Sequence, residues 1–307
     1  MSNSYTVFGL TLQSDIVLPE LFSAGPGAMP DVTVRYDAVD PDTLGEAARV
    51  GPQLWVSPER FILEIPRVAR FEVAQGTEIR VDPAPGVDAE SVRLFLLGSA
   101  FGALLFQRGH LVLHGNAIKI DGRCMICVGA SGAGKSTLAA AFARRGYPVL
   151  ADDVVPVDAN AAALPGLPRI KLWQDAAEWL GIETAGLRRI RPDMAKFNMP
   201  LAEDDRAVSA PAPIRWIYIL GQDVTLEDVR IVPIHGMARF GPLRNNTYRV
   251  RYLQGMKLGP VHLERCGALA GQVHLARVTR PDVAGPEQAA RVDALVDRLL
   301  ADMRDNG

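Results

Sequence analysis

Along the first 85 residues, apolar and polar positions alternate in short runs. Residues 5–12 (YTVFGLTL), 31–36 (DVTVRY), 61–65 (FILEI), 69–73 (ARFEV) and 78–81 (EIRV) carry β-branched and aromatic residues, and the turns between them hold glycine and proline. That pattern predicts short strands in an antiparallel sheet, with loops at 18–21 and at Gly25-Pro26-Gly27. The period changes after residues 82–86 (DPAPG). From 89 to 108 the apolar residues Val92, Leu94, Leu96, Leu97, Ala100, Leu104 and Leu105 recur at helical spacing, which predicts a long, buried helix. The proline-rich turn thus divides an N-terminal β-rich domain, 1–86, from a second domain, 87–307. The first is a candidate substrate-binding or assembly module, and nothing catalytic stands out in it.

In the second domain, residues 111–120 and the apolar run 124–128 read as strands joined by a tight Asp121-Gly122 turn. A helix over 135–145 follows, then a strand over 147–151 that ends in Asp152-Asp153 and runs on through 154–157. Further on, the pattern predicts strands over 169–173, 214–220, 229–233 and 272–278. It predicts helices over 175–180 and 287–303, the last amphipathic. Arg188, Arg189, Arg191, Lys196 and Arg206 form a basic, proline-interrupted stretch that reads as loop, either a solvated face or a contact for phosphate or an acidic substrate. The fold class is α/β. The hairpin at 111–128 makes the expected sheet mixed rather than purely parallel.

Composition narrows the function classes. The chain has 307 residues, 48% of them hydrophobic, and a net charge of −2. It offers no electrostatic reason to expect nucleic acid or an acidic membrane surface as partner. The N-terminus carries no basic segment followed by an apolar one, and the most apolar stretch, 94–105, is short for a membrane span. Three cysteines fit a reducing, cytoplasmic setting. Cys124 and Cys127 have redox-pair spacing, but both lie on a predicted buried strand, so core packing is the expected role.

The candidate chemistry lies between Val128 and Asp153. Gly129-Ala130-Ser131-Gly132-Ala133-Gly134-Lys135-Ser136, with Thr137 next, joins an apolar strand to a helix. That is the sequence and the setting of a phosphate-binding loop, or Walker A motif. The glycines allow a tight turn, successive N–H groups form an anion nest, and the helix adds its positive end. Lys135 can reach the terminal phosphates of a nucleotide, and the Ser136 hydroxyl can ligate Mg²⁺. Asp152 and Asp153 interrupt a buried run, and buried carboxylates need a partner. Mg²⁺ on ATP is one, and a solvated turn is the other reading.

His114-Gly115, the loop 129–136, Arg145-Gly146-Tyr147 and Leu150-Ala151-Asp152-Asp153, in that order, resemble the kinase domain of HPr kinase/phosphorylase. That family is itself similar to phosphoenolpyruvate carboxykinase in its nucleotide domain. The N-terminal β domain, the segment PRIKLW and the segment RNNTYR are similar to HPr-kinase-like proteins found beside lasso-peptide biosynthesis genes, which act on a serine of a precursor peptide. The resemblance implies a mixed-sheet P-loop kinase domain. It implies Lys135 on the β/γ-phosphates, Ser136 and Asp153 on Mg²⁺, Asp152 as the base for a seryl hydroxyl, and His114 beside Asp152. It also implies ATP as the nucleotide and allows for a homo-oligomer. No Arg-Gly-Leu-Gly segment follows the Asp pair here, so an acceptor other than HPr is expected. Arg239, Arg244 and Arg249 are the candidates for a replacement phosphate clamp.

The leading expectation is an ATP- and Mg²⁺-dependent kinase acting on a serine of a peptide or protein. Two others stay open: a kinase for a small metabolite, and a nucleotide-binding switch that hydrolyses slowly and works through partners.

Overall fold

The computed structural model describes residues 3–25, 27–191, 194–201, 210–282 and 287–307; Pro26 of the predicted loop and Arg206 of the basic stretch lie outside them. The chain divides into two compact units, Met1–Val112 with Tyr248–Arg265, and Leu113–Thr247 with Cys266–Gly307.

The first unit holds a nine-stranded sheet. The expected short strands are present, among them Asn3–Val7, Leu10–Ser14, Val32–Tyr36, Arg60–Ile65, Ala69–Ala74 and Glu78–Pro83. The sheet is not wholly antiparallel: Val32–Tyr36 pairs parallel with both Leu10–Ser14 and Glu78–Pro83. Parallel neighbours need long connections. Residues 15–31 and 37–77 are such excursions.

The division falls after Val112 rather than at 82–86. The reason is the buried helix. Its predicted span appears as Ala89–Phe95, a π-wound segment Leu96–Ala100, and Phe101–Gln107. Asp88 caps its start, accepting from the Ser91 N–H at 2.7 Å. At its end the Gln107 side chain bonds the Gly76 N–H and the Val73 carbonyl of the strand region, at 2.8 and 3.1 Å. The helix therefore belongs to the first sheet. At 19 residues it is, by length and composition, long and apolar enough to cross a membrane, and so longer than the apolar stretch read from sequence; 72% of its window is buried inside the protein. The segment 248–265 joins the same unit through Tyr248, whose Cε1 lies 2.6 Å from where a Gly102 Cβ would be, and through Tyr252, whose ring is 4.6 Å from that of Phe61.

In the second unit the strand carrying the loop, Arg123–Gly129, lies at the centre of a mixed sheet. It pairs antiparallel with Gly115–Ile120 through the expected hairpin and parallel with Ala212–Asp223. Beyond these lie Val149–Asp152, antiparallel to Gly115–Ile120, and His274–Pro281, parallel to Ala212–Asp223. The loop helix, Lys135–Arg144, is rich in alanine and packs closely. Its Leu138, Ala139 and Phe142 share one apolar cluster with Met125 and Cys127 of the loop strand and with Leu295, Val296 and Leu299 of the C-terminal helix Gln288–Asp305. Cys124 and Cys127 are wholly buried, which pushes the Cys124 thiol up to about 12 and holds both as uncharged core residues.

One sequence expectation fails here. The basic stretch is not simply loop: Arg188–Arg189 and Lys196–Pro200 are strands, and with Arg169–Trp173 they make a three-stranded antiparallel sheet. Charge and proline masked the pattern. Strands less covered on one side, as exposed Trp173 and half-buried Lys171 are relative to buried Ile170 and Leu172, need few apolar residues.

Candidate functional site

The loop takes the shape that its glycines permit. Gly129, Gly132 and Gly134 have φ of 147°, 85° and 91°. At Gly129 a Cβ would also lie 2.6 Å from the Leu220 carbonyl of the neighbouring strand, so only glycine lets the loop leave the sheet here. Gly134 in its left-handed conformation directly precedes the helix Lys135–Arg144, whose first N–H groups lack intrahelical partners. Lys135 folds over the loop, its Nζ donating to the Gly129 and Ala130 carbonyls at 2.8 and 3.0 Å. Burial lowers its pKa, against the opposing pull of Asp153 and Asp152.

Asp152 ends the strand Val149–Asp152 and is buried. Both carboxylate oxygens are occupied. Oδ1 accepts from Ser136 Oγ at 3.0 Å, and Oδ2 accepts from the Lys171 N–H at 2.8 Å. Burial, then the neighbouring Asp153 charge, raises its pKa above the usual value.

Asp153 does not continue the strand. Its φ of 76° turns the chain, and strand pairing resumes only at Val155–Val157. The turn swings its carboxylate away from Ser136 and onto the Lys171 ammonium and His114. Oδ2 accepts from Lys171 Nζ at 2.6 Å, and Oδ1 lies 3.3 Å from His114 Nδ1, which is also 3.0 Å from the Asp153 carbonyl. Both neighbours of Nδ1 are acceptors, so this nitrogen carries the proton. Burial alone would raise the Asp153 carboxyl. The Lys171 ammonium and the His114 hydrogen bond outweigh it, and Asp153 is held well below the usual carboxylate range.

Two expectations are corrected by this turn. His114 lies beside Asp153, not Asp152. The acid against Ser136 is Asp152, not Asp153. Strand alternation places Asp152 toward the loop helix, and the left-handed residue after it breaks that alternation.

These groups line one cleft of about 1280 Å³, with Ser131, Gly132, Ala133, Gly134 and Thr137 of the loop and with Trp173, Lys196 and Arg280. Sequence reading missed three contributors. Asn116 faces Asp152 across the register and donates through Nδ2 to the Lys135 carbonyl. Lys171 was legible only as a cation on a short strand. Arg280 ends the last sheet strand and lies against the loop, 3.3 Å from where a Gly134 Cβ would be. The expected replacement clamp is not in the cleft. Arg239 donates to the Ile234 and Ala270 carbonyls at 2.9 and 2.6 Å, Arg244 is not among the lining residues, and Arg249 belongs to the first unit, over the Tyr248 ring.

The donor set fits a hard divalent cation bound together with phosphate. Ser136 Oγ and Asp152 Oδ1 are two oxygens 3.0 Å apart at the lip of the loop. Mg²⁺ takes one or two protein oxygens and completes its shell with water and phosphate. Among the described residues no group of three His, Cys, Asp or Glu is placed to hold a metal without a substrate.

No family model matches the chain, and no curated protein matches it. Among solved structures, the HPr(Ser) kinase/phosphatase from Coxiella burnetii is similar at 13% identity and a TM-score of 0.29, over 63% of this chain and 98% of that one. A likeness that slight carries no argument about activity, and the functional reading rests on the geometry of the cleft.

Proposed function

We propose that the protein is an ATP- and Mg²⁺-dependent kinase that phosphorylates a serine hydroxyl of a peptide or protein. The observation that carries this reading is the pairing of Ser136 Oγ with Asp152 at 3.0 Å, with Asp153, His114 and Lys171 joined beside it in the same cleft. A phosphate loop alone would serve any nucleotide-binding protein. A second, separately held carboxylate next to it is what a hydroxyl acceptor requires.

The loop amides and Lys135 bind the phosphate chain. Ser136 and Asp152 would hold Mg²⁺, which would supply charge neutralisation at the phosphates. Asp153 accepts the hydrogen bond of the incoming hydroxyl and orients it, while Lys171 and His114 fix the carboxylate. A carboxylate held below its usual range by a neighbouring ammonium is a weak base, so orientation is its main contribution. As the seryl oxygen–phosphorus bond forms and the bond to the ADP oxygen breaks, the hydroxyl proton passes to Asp153 or to an oxygen of the transferred phosphoryl group. Phosphoryl transfer depends chiefly on positioning and charge, which suits such a group.

The test is incubation with γ-labelled ATP and Mg²⁺, with seryl peptides in one arm and small hydroxyl compounds in the other. Label on a seryl oxygen supports the reading. Label confined to a small acceptor makes the protein a metabolite kinase. Release of inorganic phosphate alone, with nucleotide binding retained, makes it a nucleotide-dependent switch. The lasso-peptide resemblance adds a narrower form of the proposal, in which the peptide is a biosynthetic precursor.

A further inference from the structure

The scheme above leaves Lys196, one of the cations lining the cleft, without a task. Lys196 opens the strand Lys196–Pro200 and lies directly across from Trp173 in the register of the small sheet. Its ammonium stands 5.2 Å over the centre of the Trp173 ring. Trp173 is 48% exposed, unusual for so large an apolar side chain, and its face serves as a seat for the lysine. Lys171 is neutralised by Asp153, and Lys135 is held by two loop carbonyls. Among the described residues no hydrogen bond or ion pair engages the Lys196 ammonium, whose contact is the Trp173 ring. It nevertheless lines the cleft with Lys135, Ser136, Asp152 and Asp153.

The place of Lys196 points the same way. It lines the cleft beside the loop with Lys135, Lys171 and Arg280, near Asp152 and Asp153, while Asp175, Glu178, Glu227, Asp228, Asp282 and Glu287 also line the cleft. A half-buried ammonium kept on an aromatic seat beside a phosphate loop is poorly solvated. Burial lowers its pKa, and the nearby Asp153 acts against that lowering. Such a group gains most from a doubly charged ligand. A terminal phosphoryl group brings that charge, and a compact ammonium can contact it as a point charge.

We propose that Lys196, held in place by Trp173, binds the terminal phosphoryl group of the nucleotide together with Lys135. The proposal rests on the nucleotide reading given above and adds a γ-phosphate contact to it. Lys196 distinguishes a triphosphate from a diphosphate, whereas Lys135 and the loop bind both.

The experiment is titration calorimetry of the full chain with MgATP and with MgADP, which needs no knowledge of the acceptor. In Lys196→Ala, ATP affinity falls on the order of tenfold, the scale of one charge-assisted contact, and ADP affinity is unchanged. Lys196→Arg recovers part of the loss, and Trp173→Leu reproduces part of it. Lys135→Ala weakens both nucleotides. Circular dichroism checks the fold of each variant, and Lys196→Gln, which keeps the length of the stem, replaces the alanine variant if that one unfolds. Equal losses for ATP and ADP, or no loss for either, overturn the role of Lys196 and leave the nucleotide site standing. Failure of the unaltered protein to bind either nucleotide overturns the nucleotide reading itself.

Discussion

On one side of the cleft nine contiguous residues, Gly129 to Thr137, present backbone N–H groups and a helix end. On the other side, His114, Asp153, Lys171 and Lys196 come from four separate stretches of chain and present only side chains. The loop wall takes its shape from glycine φ angles and from the strand beneath it. The acid wall is held by side-chain contacts: Asp153 accepts from Lys171 and lies against His114, and Lys196 stands over the Trp173 ring. Asp152 and Asp153 stand where the two walls meet. Adjacent in sequence, they are pushed in opposite directions: Asp152 upward by burial and by its neighbour, Asp153 downward by Lys171 and His114 once burial is overcome. Neighbouring acids with divergent environments are suited to different tasks.

That division predicts different failures on the two walls. The largest is expected at Lys135. Lys135→Ala removes the cation both from binding and from the transition state, and turnover of labelled ATP should fall roughly 10²- to 10³-fold, with nucleotide affinity falling too. Activity and affinity near those of the unaltered protein would show that the loop wall is not a phosphate site.

Next comes Asp153→Asn. It keeps the shape and removes the charge that orients the acceptor, so kcat should fall by roughly 10²-fold or more while nucleotide affinity holds. A loss of ATP binding instead, measured by calorimetry, would merge the two walls into one.

A smaller effect is expected at the far end of the loop helix. Arg145 pairs there with Asp297 and Asp293 of the C-terminal helix, at 2.5 and 3.3 Å, and both acids are well exposed. Arg145→Ala should shift thermal unfolding by a few degrees or less, with transfer unchanged. A large loss of transfer in this variant would mean that the loop depends on the whole helix and not on its N-terminal end.

The same contrast explains what could be read from sequence. The loop, the hairpin, the helix after the loop and the mixed sheet were legible, because contiguous residues and local periodicity determine them. The acid wall was legible only as separate residues. His114 and Asp152-Asp153 stood out, but their pairing did not, because it turns on one left-handed φ at a non-glycine residue, Asp153. Lys196 was legible only as one cation of a basic stretch, read as a loop that is either a solvated face or a phosphate contact, and Arg280 sat at a strand end with no local signal. The boundary at Val112 was missed for a similar reason. A proline-rich turn is visible in sequence, but the bonds from Gln107 to the strands before it are not.

The central claim is that Ser136 and Asp152 form the metal wall and Asp153 the acceptor wall. A Mg²⁺ titration of ATP turnover in Asp152→Asn and in Asp153→Asn tests it most directly. The account predicts that Asp152→Asn needs a much higher Mg²⁺ concentration for half-maximal turnover, while Asp153→Asn keeps the Mg²⁺ dependence of the unaltered protein at a far lower maximal rate. The reverse pattern, with the Mg²⁺ requirement moving only in Asp153→Asn, would contradict it.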